Sequence, residues 1–130
     1  QTYDVENYLL EKIKNNDREN FYHEELSFRR KAFLPPYSKM AAIIIQGRKS
    51  DCVERAALKI KKLLSLYPEL KVLGPIPAPI FLIRNQYRYR ILVKSTNSLI
   101  IQNKIKSKDV RALISSKIKV KIDVDPYSFF

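Results

Sequence analysis

The sequence is poor in the residues on which most catalytic and metal sites depend. Its 130 residues include two glycines, one cysteine, one histidine and no tryptophan. The glycines stand far apart, so no glycine-rich loop is available to hold a nucleotide phosphate. A single thiol can form neither an internal disulfide nor a cysteine-ligated zinc site, and it is typical of a protein from the reducing cytosol. We therefore predict no cofactor for this chain.

Long apolar runs are also missing. The longest, Met40 to Ile45, is far shorter than the roughly 20 residues that span a bilayer, and it is typical of a buried strand. We predict no membrane partner. The chain begins at Gln1 with a polar stretch unlike a signal peptide, which predicts a cytoplasmic segment cut from a longer protein.

Acidic residues are few in relation to basic ones. Asp and Glu total 13 against 25 Lys and Arg, for a net charge of +12. Such an excess attracts polyanions, of which nucleic acid is the commonest and an anionic membrane surface the next. The alternative is a compositional bias, because the chain is rich in Lys, Ile and Asn, as proteins from AT-rich genomes tend to be.

The hydrophobic periodicity predicts an α+β fold. Two helices occupy residues 1–37 and end at Leu34-Pro35-Pro36-Tyr37, since proline cannot continue a helix. From Met40 onward the order is strand, helix, strand, strand, helix, strand. This split β-α-β-β-α-β order is ferredoxin-like and predicts an antiparallel sheet with helices on one face. We predict two parts, residues 1–37 and residues 38–130.

The middle strands are predicted as a hairpin. Gly74 to Pro79 is predicted as a rigid extended segment, because three of its residues are proline. Ile80 to Arg84 and Tyr87 to Lys94 then form the two strands around a turn at Asn85-Gln86. Apolar and polar residues alternate from Ile118 to Val124, which predicts a half-exposed last strand.

Candidate catalytic residues are few and isolated. His23 lies on a helix beside two glutamates with no nucleophile in a known motif, and Cys52 is best explained as a small hydrophobe. Asp123 and Asp125 share one face of a strand but have no third ligand in view, so an end-of-strand cap with a salt-bridge cluster is favoured over a metal site. We predict no catalytic and no metal-binding residue.

A basic stretch between residues 84 and 94 is the strongest binding signal. Side chains alternate across a strand, so Arg88, Arg90 and Lys94 share one face and Tyr89, Ile91 and Val93 share the other, which we assign to the core. Arg84 lies just before the predicted turn and can reach the same side as these cations. Tyr87 and Tyr89 could stack on bases at the surface, but a core position is favoured. Phosphate contacts are expected from the arginine forks. The predicted nucleic-acid site comprises Arg84, Arg88, Arg90 and Lys94, flanked by Lys119 and Lys121.

A second basic cluster, Arg29-Arg30-Lys31, closes the second predicted helix. Arg29 and Arg30 are candidate nucleic-acid contacts. Cations also suit the negative end of a helix dipole, so a structural role explains this cluster equally well.

Several short motifs together resemble one known family. They are Phe21-Tyr22-x-x-Glu25-Leu26-x-x-Arg29-Arg30, Pro35-Pro36-Tyr37, Gly74-Pro75-x-Pro77-Ala78-Pro79, Arg88-Tyr89-Arg90 and Asp123-Val124-Asp125-Pro126. In this order they resemble the C-terminal region of the bacterial primosomal replication-restart helicases, the primosomal protein N-prime (PriA) family. Gln1-Thr2-Tyr3 looks like the last strand of the second helicase lobe in that family.

The resemblance implies a function for the parent protein. It would be an ATP-dependent 3′–5′ DNA helicase, using ATP, magnesium and zinc, that reloads the replication machinery at stalled forks. Its C-terminal domain would resemble a ribosomal small-subunit protein in fold and bind single-stranded and forked DNA. The expected partners are the tail of the single-stranded-DNA-binding protein, other primosome proteins and the helicase motor of the same chain. The ATP and zinc motifs would lie upstream, so this chain alone should not be an enzyme.

Two other functions remain open. A free-standing ribosomal or RNA-binding protein could share the fold, although the two leading helices and the missing initial Met argue against it. A docking domain that packs on the helicase motor through its proline-rich segment is the other alternative. The sequence does not separate docking from DNA binding at any single residue.

Overall fold

The computed structural model describes residues 7–126, and the chain divides into two compact units, Gln1–Tyr37 and Ser38–Phe130. The strand predicted at Gln1-Thr2-Tyr3 lies outside the described residues. The function of each unit stays a prediction. The elements are α1 Tyr8–Lys14, α2 Arg18–Lys31, β1 Lys39–Gly47, α3 Ser50–Leu64, β2 Lys71–Ile83, β3 Gln86–Ser95, α4 Ser98–Ile105, α5 Lys108–Ala112 and β4 Ile118–Val124.

The first unit consists of α1 and α2, and neither helix contains a buried residue. The Asn7 side chain caps α1 by accepting a hydrogen bond from the Leu9 amide at 3.0 Å. At the junction of the two helices, Lys12 Nζ lies 3.1 Å from Asp17 Oδ2. Hydrogen bonds from Lys12 and then Asn20 lower the pKa of Asp17 below its usual value. Local polar contacts, rather than a core, therefore organise this hairpin.

The second unit is a four-stranded sheet in the order β2-β3-β1-β4, with every neighbouring pair antiparallel. This is the strand order of the ferredoxin-like split β-α-β-β-α-β fold, so the predicted fold class is confirmed. The predicted turn at Asn85-Gln86 was one residue too late. Ile83 pairs with Gln86, and Arg84 and Asn85 form the turn with φ of 49° and 60°. Two positive φ values suit a two-residue hairpin turn.

Strand β2 is longer than the sequence predicted. The Gly74–Pro79 segment belongs to the strand, which runs along the edge of the sheet with register shifts between Leu73 and Ile76 and between Pro77 and Leu82. Prolines are tolerated at an edge because only one side of the strand is hydrogen-bonded. Gly74 has φ +97°, and a Cβ there would lie 2.9 Å from the Arg90 carbonyl oxygen. This position therefore requires glycine.

The core lies between one face of the sheet and the helices α3, α4 and α5. On β1 the residues Ala41, Ile43 and Ile45 are fully buried, and α3 covers them with a stripe of apolar residues at helical spacing. Ser107 caps α5 by accepting a hydrogen bond from the Val110 amide, and it separates α5 from α4. The remaining core members on α3, α4 and β3 include Val53, Ala57, Ile60, Leu64, Ile91, Val93, Ile101 and Ile105.

Candidate nucleic-acid interface

The opposite face of the sheet carries two rows of side chains that cross three strands. In one row, Gln46 of β1 is the register partner of both Arg88 and Lys119. In the next, Ile44 is the partner of both Arg90 and Lys121. Directly paired residues point to the same side of a sheet, and neighbouring strands are about 4.8 Å apart. The two arginines and two lysines therefore lie on one surface, as predicted. We call the six residues of the two rows the basic face; they are Gln46, Arg88, Lys119, Ile44, Arg90 and Lys121.

The cations of the basic face have no ion-pair or hydrogen-bond partner among residues 7–126. Within residues 7–126, none of Arg88, Arg90, Lys119 and Lys121 makes an ion pair or a side-chain hydrogen bond. The Nε atoms of Arg88 and Arg90 are buried without an acceptor, although each residue as a whole is partly exposed. Both lysines are exposed. Four unpaired cations concentrate positive potential on one surface, which favours a polyanionic ligand.

Lys94 lies on the same side of β3 but is buried. It pairs with Met40 and Lys71 in register and is only 6% exposed. Burial, followed by repulsion from Lys71, lowers the pKa of Lys94 below its usual value. The prediction that Lys94 shares a face of β3 with Arg88 and Arg90 is confirmed. The expectation that its side chain is accessible to a ligand is wrong, because neighbouring side chains enclose this end of the sheet. Lys94 is therefore not part of the basic face.

The tyrosines of β3 belong to the core side. Tyr89 is 8% exposed, and the rings of Tyr87 and Tyr89 pack edge-on against Phe81 with centroid distances of 5.3 and 5.5 Å. The favoured core position is thus confirmed for Tyr89. The basic face itself contains no aromatic ring, so it offers no platform of the kind on which single-stranded bases stack.

The other predicted basic residues are not members of these rows. Arg84 is exposed in the hairpin turn, two residues before Gln86. Arg29 Nε lies 2.6 Å from Glu25 Oε1, and its Nη1 donates to the Pro35 carbonyl at 3.3 Å. Arg30 lies 5.5 Å from the centre of the Tyr37 ring. Arg29 and Arg30 thus have internal partners, and their contact with DNA stays a prediction.

A cleft that the sequence did not predict lies at one end of the sheet. We call it the end cleft; its volume is about 530 Å³. It forms where β1 leads into α3 and where β3 and β4 begin. Its lining residues are Gln46, Gly47, Arg48, Lys49, Cys52, Val53, Gln86, Ser116, Lys117, Ile118 and Lys119. The available signal was the pair Arg48-Lys49 directly before a predicted helix, but only the fold brings Lys117 and Lys119 beside it.

The acidic residues near β4 have a structural role. Asp125 has φ 49°, its amide donates to the Met40 carbonyl at 2.8 Å, and its Oδ1 accepts from the Met40 amide at 3.4 Å. These contacts fit the predicted end-of-strand cap, whereas Asp123 and Asp125 form no ion pair within residues 7–126, so the predicted salt-bridge cluster is not found there. In residues 7–126, no three His, Cys, Asp or Glu side chains are grouped as metal ligands. No helix within the same range is long and apolar enough to cross a membrane.

Comparison with known proteins identifies the family. The profile of the primosomal protein N C-terminal domain matches residues 30–127. The chain belongs to this family. Among its relatives, the replication restart protein PriA of Rickettsia felis is 31% identical over 131 residues, covering 100% of this chain and 20% of the relative. The PriA proteins of Bacillus subtilis and Haemophilus influenzae are 29% and 30% identical, covering 98% and 97% of this chain and 16% and 18% of theirs.

Membership of the PriA C-terminal domain family confirms the resemblance found in the sequence. The basic face lies wholly within the matched residues, as does the end cleft. The chain spans about a fifth of the length of the relatives it matches. Homology therefore supports a role in replication restart for this domain, while the activity of a whole PriA protein belongs to the proposal below.

Proposed function

We propose that the basic face binds single-stranded and forked DNA as part of an ATP-dependent 3′–5′ helicase that restarts stalled replication forks. The observation that carries this proposal is the pair of cross-strand rows centred on Gln46 and Ile44, each with an arginine on one side and a lysine on the other. Family membership supports the biological setting.

Phosphate binding is the chemistry that this surface supports best. Arginine presents a planar fork of donors that matches phosphate oxygens, and lysine adds a point charge. Rows two residues apart along a strand are separated by about 7 Å, so successive phosphates can engage successive rows. A phosphate oxygen would also provide an acceptor for the guanidinium groups of Arg88 and Arg90, whose Nε atoms have none within the fold.

Binding of this kind is independent of base sequence. The basic face combines cations with one amide and one aliphatic side chain, and base readout needs donors and acceptors placed against base edges. We expect the shape and single-stranded character of the DNA to decide affinity. Selection from random duplexes should therefore yield no consensus, and the appearance of one would contradict this part of the proposal.

The cofactors and further partners belong to the parent protein in this proposal. ATP, magnesium and zinc would be bound upstream, and the tail of the single-stranded-DNA-binding protein and other primosome proteins would contact the whole enzyme. We expect the purified chain alone to hydrolyse no ATP, because it has no glycine-rich phosphate loop. Hydrolysis above the level of a mock preparation would disprove this.

The first unit favours a second role, docking on the helicase motor of the same chain. Its helices bury no residue, and Ile13, Tyr22 and Phe28 are 73%, 60% and 62% exposed. Apolar exposure of this extent marks an interaction surface. Docking by the first unit and DNA binding by the second are compatible.

The test is the double variant Arg88→Ala, Arg90→Ala, measured by fluorescence anisotropy on single-stranded, duplex and forked oligonucleotides over a range of salt. Each lost phosphate contact on a single strand should flatten the slope of log affinity against log salt by about 0.7, so two contacts should flatten it by about 1.4. Circular dichroism should show an unchanged fold, because partly exposed charges contribute little to stability.

A matched control removes two arginines that have partners within the first unit. Arg29→Ala, Arg30→Ala makes the same change in net charge, and we expect a smaller change in slope because Arg29 is held by Glu25. If the Arg88 and Arg90 variant stays folded and binds with unchanged affinity and slope, the basic face is not the DNA site. The Arg29-Arg30-Lys31 cluster would then become the better candidate.

A further inference from the structure

The end cleft continues the basic face around the end of the sheet. Gln46 and Lys119 belong both to the first cross-strand row and to the lining of the cleft. From this row the lining extends to Arg48, Lys49 and Lys117, all of which are exposed. The cations of the cleft and of the face thus form one continuous basic surface.

The cleft has the dimensions and charge of a site for a phosphorylated group. Its volume of about 530 Å³ lies within the range of small-molecule sites, and four cationic side chains line it with no carboxylate among the lining residues. The nearest acidic residues in sequence, Asp51 and Glu54, are exposed on α3 outside the lining. The cationic lining is therefore not neutralised from within the cleft.

Gly47 allows this end of the sheet to close tightly behind the cleft. A Cβ at Gly47 would lie 3.0 Å from Val53 Cγ2 and 3.2 Å from the Lys117 carbonyl oxygen. The close approach fixes the start of α3 beside the segment that leads into β4. Arg48, Lys49 and Lys117 are consequently brought together by the backbone and need no ligand to assemble them.

We propose that the end cleft binds a phosphate of the same nucleic-acid strand that lies on the basic face, so that the strand leaves the sheet beside α3. This inference rests on the proposed function and adds a path and a second contact region to it. The shared chemistry is a phosphate group, which either an internal phosphodiester or a 5′-terminal phosphate can supply.

The experiment uses the 130-residue chain and the double variant Lys49→Ala, Lys117→Ala. The probes are oligothymidylates of about 4 to 16 nucleotides, the range of site sizes for small single-strand-binding domains. We expect weaker binding of the longer probes and a salt slope flatter by about 1.4, with little change for the shortest probe, which the basic face alone can hold. Each probe carries either a 5′-phosphate or a 5′-hydroxyl. A phosphate preference in the wild type that the variant loses indicates a terminal phosphate, and equal binding of the two indicates an internal one.

The matched control is Lys59→Ala, Lys62→Ala, which removes two exposed lysines of α3 that lie outside the cleft. Equal effects of the two variants on affinity and slope would overturn the inference, since the lysines would then act only through net charge. Amide chemical shifts of the isotope-labelled wild-type chain give a second readout. Oligothymidylate should shift Gly47 and Lys117, and shifts confined to β3 and β4 would also overturn it.

Failure of this inference is distinguishable from failure of the proposed function. If the Arg88 and Arg90 variant weakens binding while the cleft variant behaves as its control, only the path into the cleft is wrong. If the Arg88 and Arg90 variant binds normally, the basic face is not the DNA site and the inference loses its basis.

Discussion

The two faces of the sheet are built from the same strands and differ in almost every physical property. On β1, Ile43 is fully buried beneath the helices, whereas the next residue, Ile44, is only partly buried on the basic face. On β3, Ile91 is fully buried while Arg90 beside it has an Nε atom without an acceptor. On β1 and β3 the members of the hydrophobic core have odd numbers, whereas the charged Arg88 and Arg90 have even numbers and lie on the other face.

Within a single strand, the residues that stabilise the core are therefore different from the residues proposed to bind DNA. Because strand side chains alternate, a substitution at one position of β1 or β3 affects one face and leaves the other nearly unchanged. The basic face can therefore retain unpaired cations without loss of the core. The following predictions test that separation, beginning with the largest expected effect.

Ile43→Ala and Ile44→Ala form a matched pair of adjacent, chemically identical substitutions. Ile43→Ala should lower the free energy of unfolding by about 2–5 kcal/mol, because it leaves a cavity in the core. Ile44→Ala should cost about 1–2 kcal/mol, because less apolar area is buried there. Urea denaturation followed by circular dichroism measures both. Equal losses would show that the two faces contribute alike to stability.

Gln46→Glu should move stability and binding in opposite directions. A carboxylate between Arg88 and Lys119 gains two cross-strand opposite-charge neighbours, each contributing roughly 0.2–1 kcal/mol to the free energy of unfolding. The same charge repels phosphate by about 1 kcal/mol, which corresponds to a roughly fivefold weaker affinity for single-stranded DNA. Thermal denaturation and anisotropy titration measure the two effects.

Gln46→Lys is the reciprocal variant. It should lower stability slightly and strengthen DNA binding, because it places three cations in one row. If either Gln46 variant changes the free energy of unfolding and the affinity for DNA in the same direction, the row of Arg88, Gln46 and Lys119 does not face the ligand.

The smallest predicted effect concerns the enclosed end of the face. Lys71→Gln should raise the pKa of Lys94 towards its usual value, because it removes the repulsion from a cross-strand cation. The lowered pKa means that charged Lys94 costs stability below its folded pKa, and this cost is relieved as the pH rises through that value. A carbon-detected NMR titration of the lysine side chains measures the pKa. No change would show that burial alone determines it.

The sequence predicted the parts of the basic face that depend on alternation alone. Arg88, Arg90, Lys119 and Lys121 share a surface because side-chain direction follows from position along a strand, and the strand order placed β4 beside β1. Lys94 has the same parity, yet its burial depends on neighbours such as Met40 that sequence spacing does not reveal.

Features that depend on contacts between distant segments of the chain could not be predicted from the sequence. The end cleft joins residues 46–49, 52 and 53 with Gln86 and residues 116–119, and no local pattern marks that association. The prolines of β2 led to a different error, which was to begin the predicted strand at Ile80 when β2 begins at Lys71. They argue against a strand in a sheet centre, and the position of β2 at the edge, which makes them acceptable, is a property of the whole topology.

The same prolines affect whether two copies of this chain can associate through the edges of their sheets. The edge strand β2 exposes Ile76, Ile80 and Leu82, which are 57%, 61% and 50% accessible, and an apolar edge of this kind is a template for intermolecular strand addition. Proline has no amide hydrogen to offer an incoming strand, and Pro75, Pro77 and Pro79 interrupt the edge at every second residue. At the opposite edge, the exposed Lys119 and Lys121 of β4 repel an identical strand. The sheet thus resists aggregation at both edges, by missing donors at one and by like charge at the other.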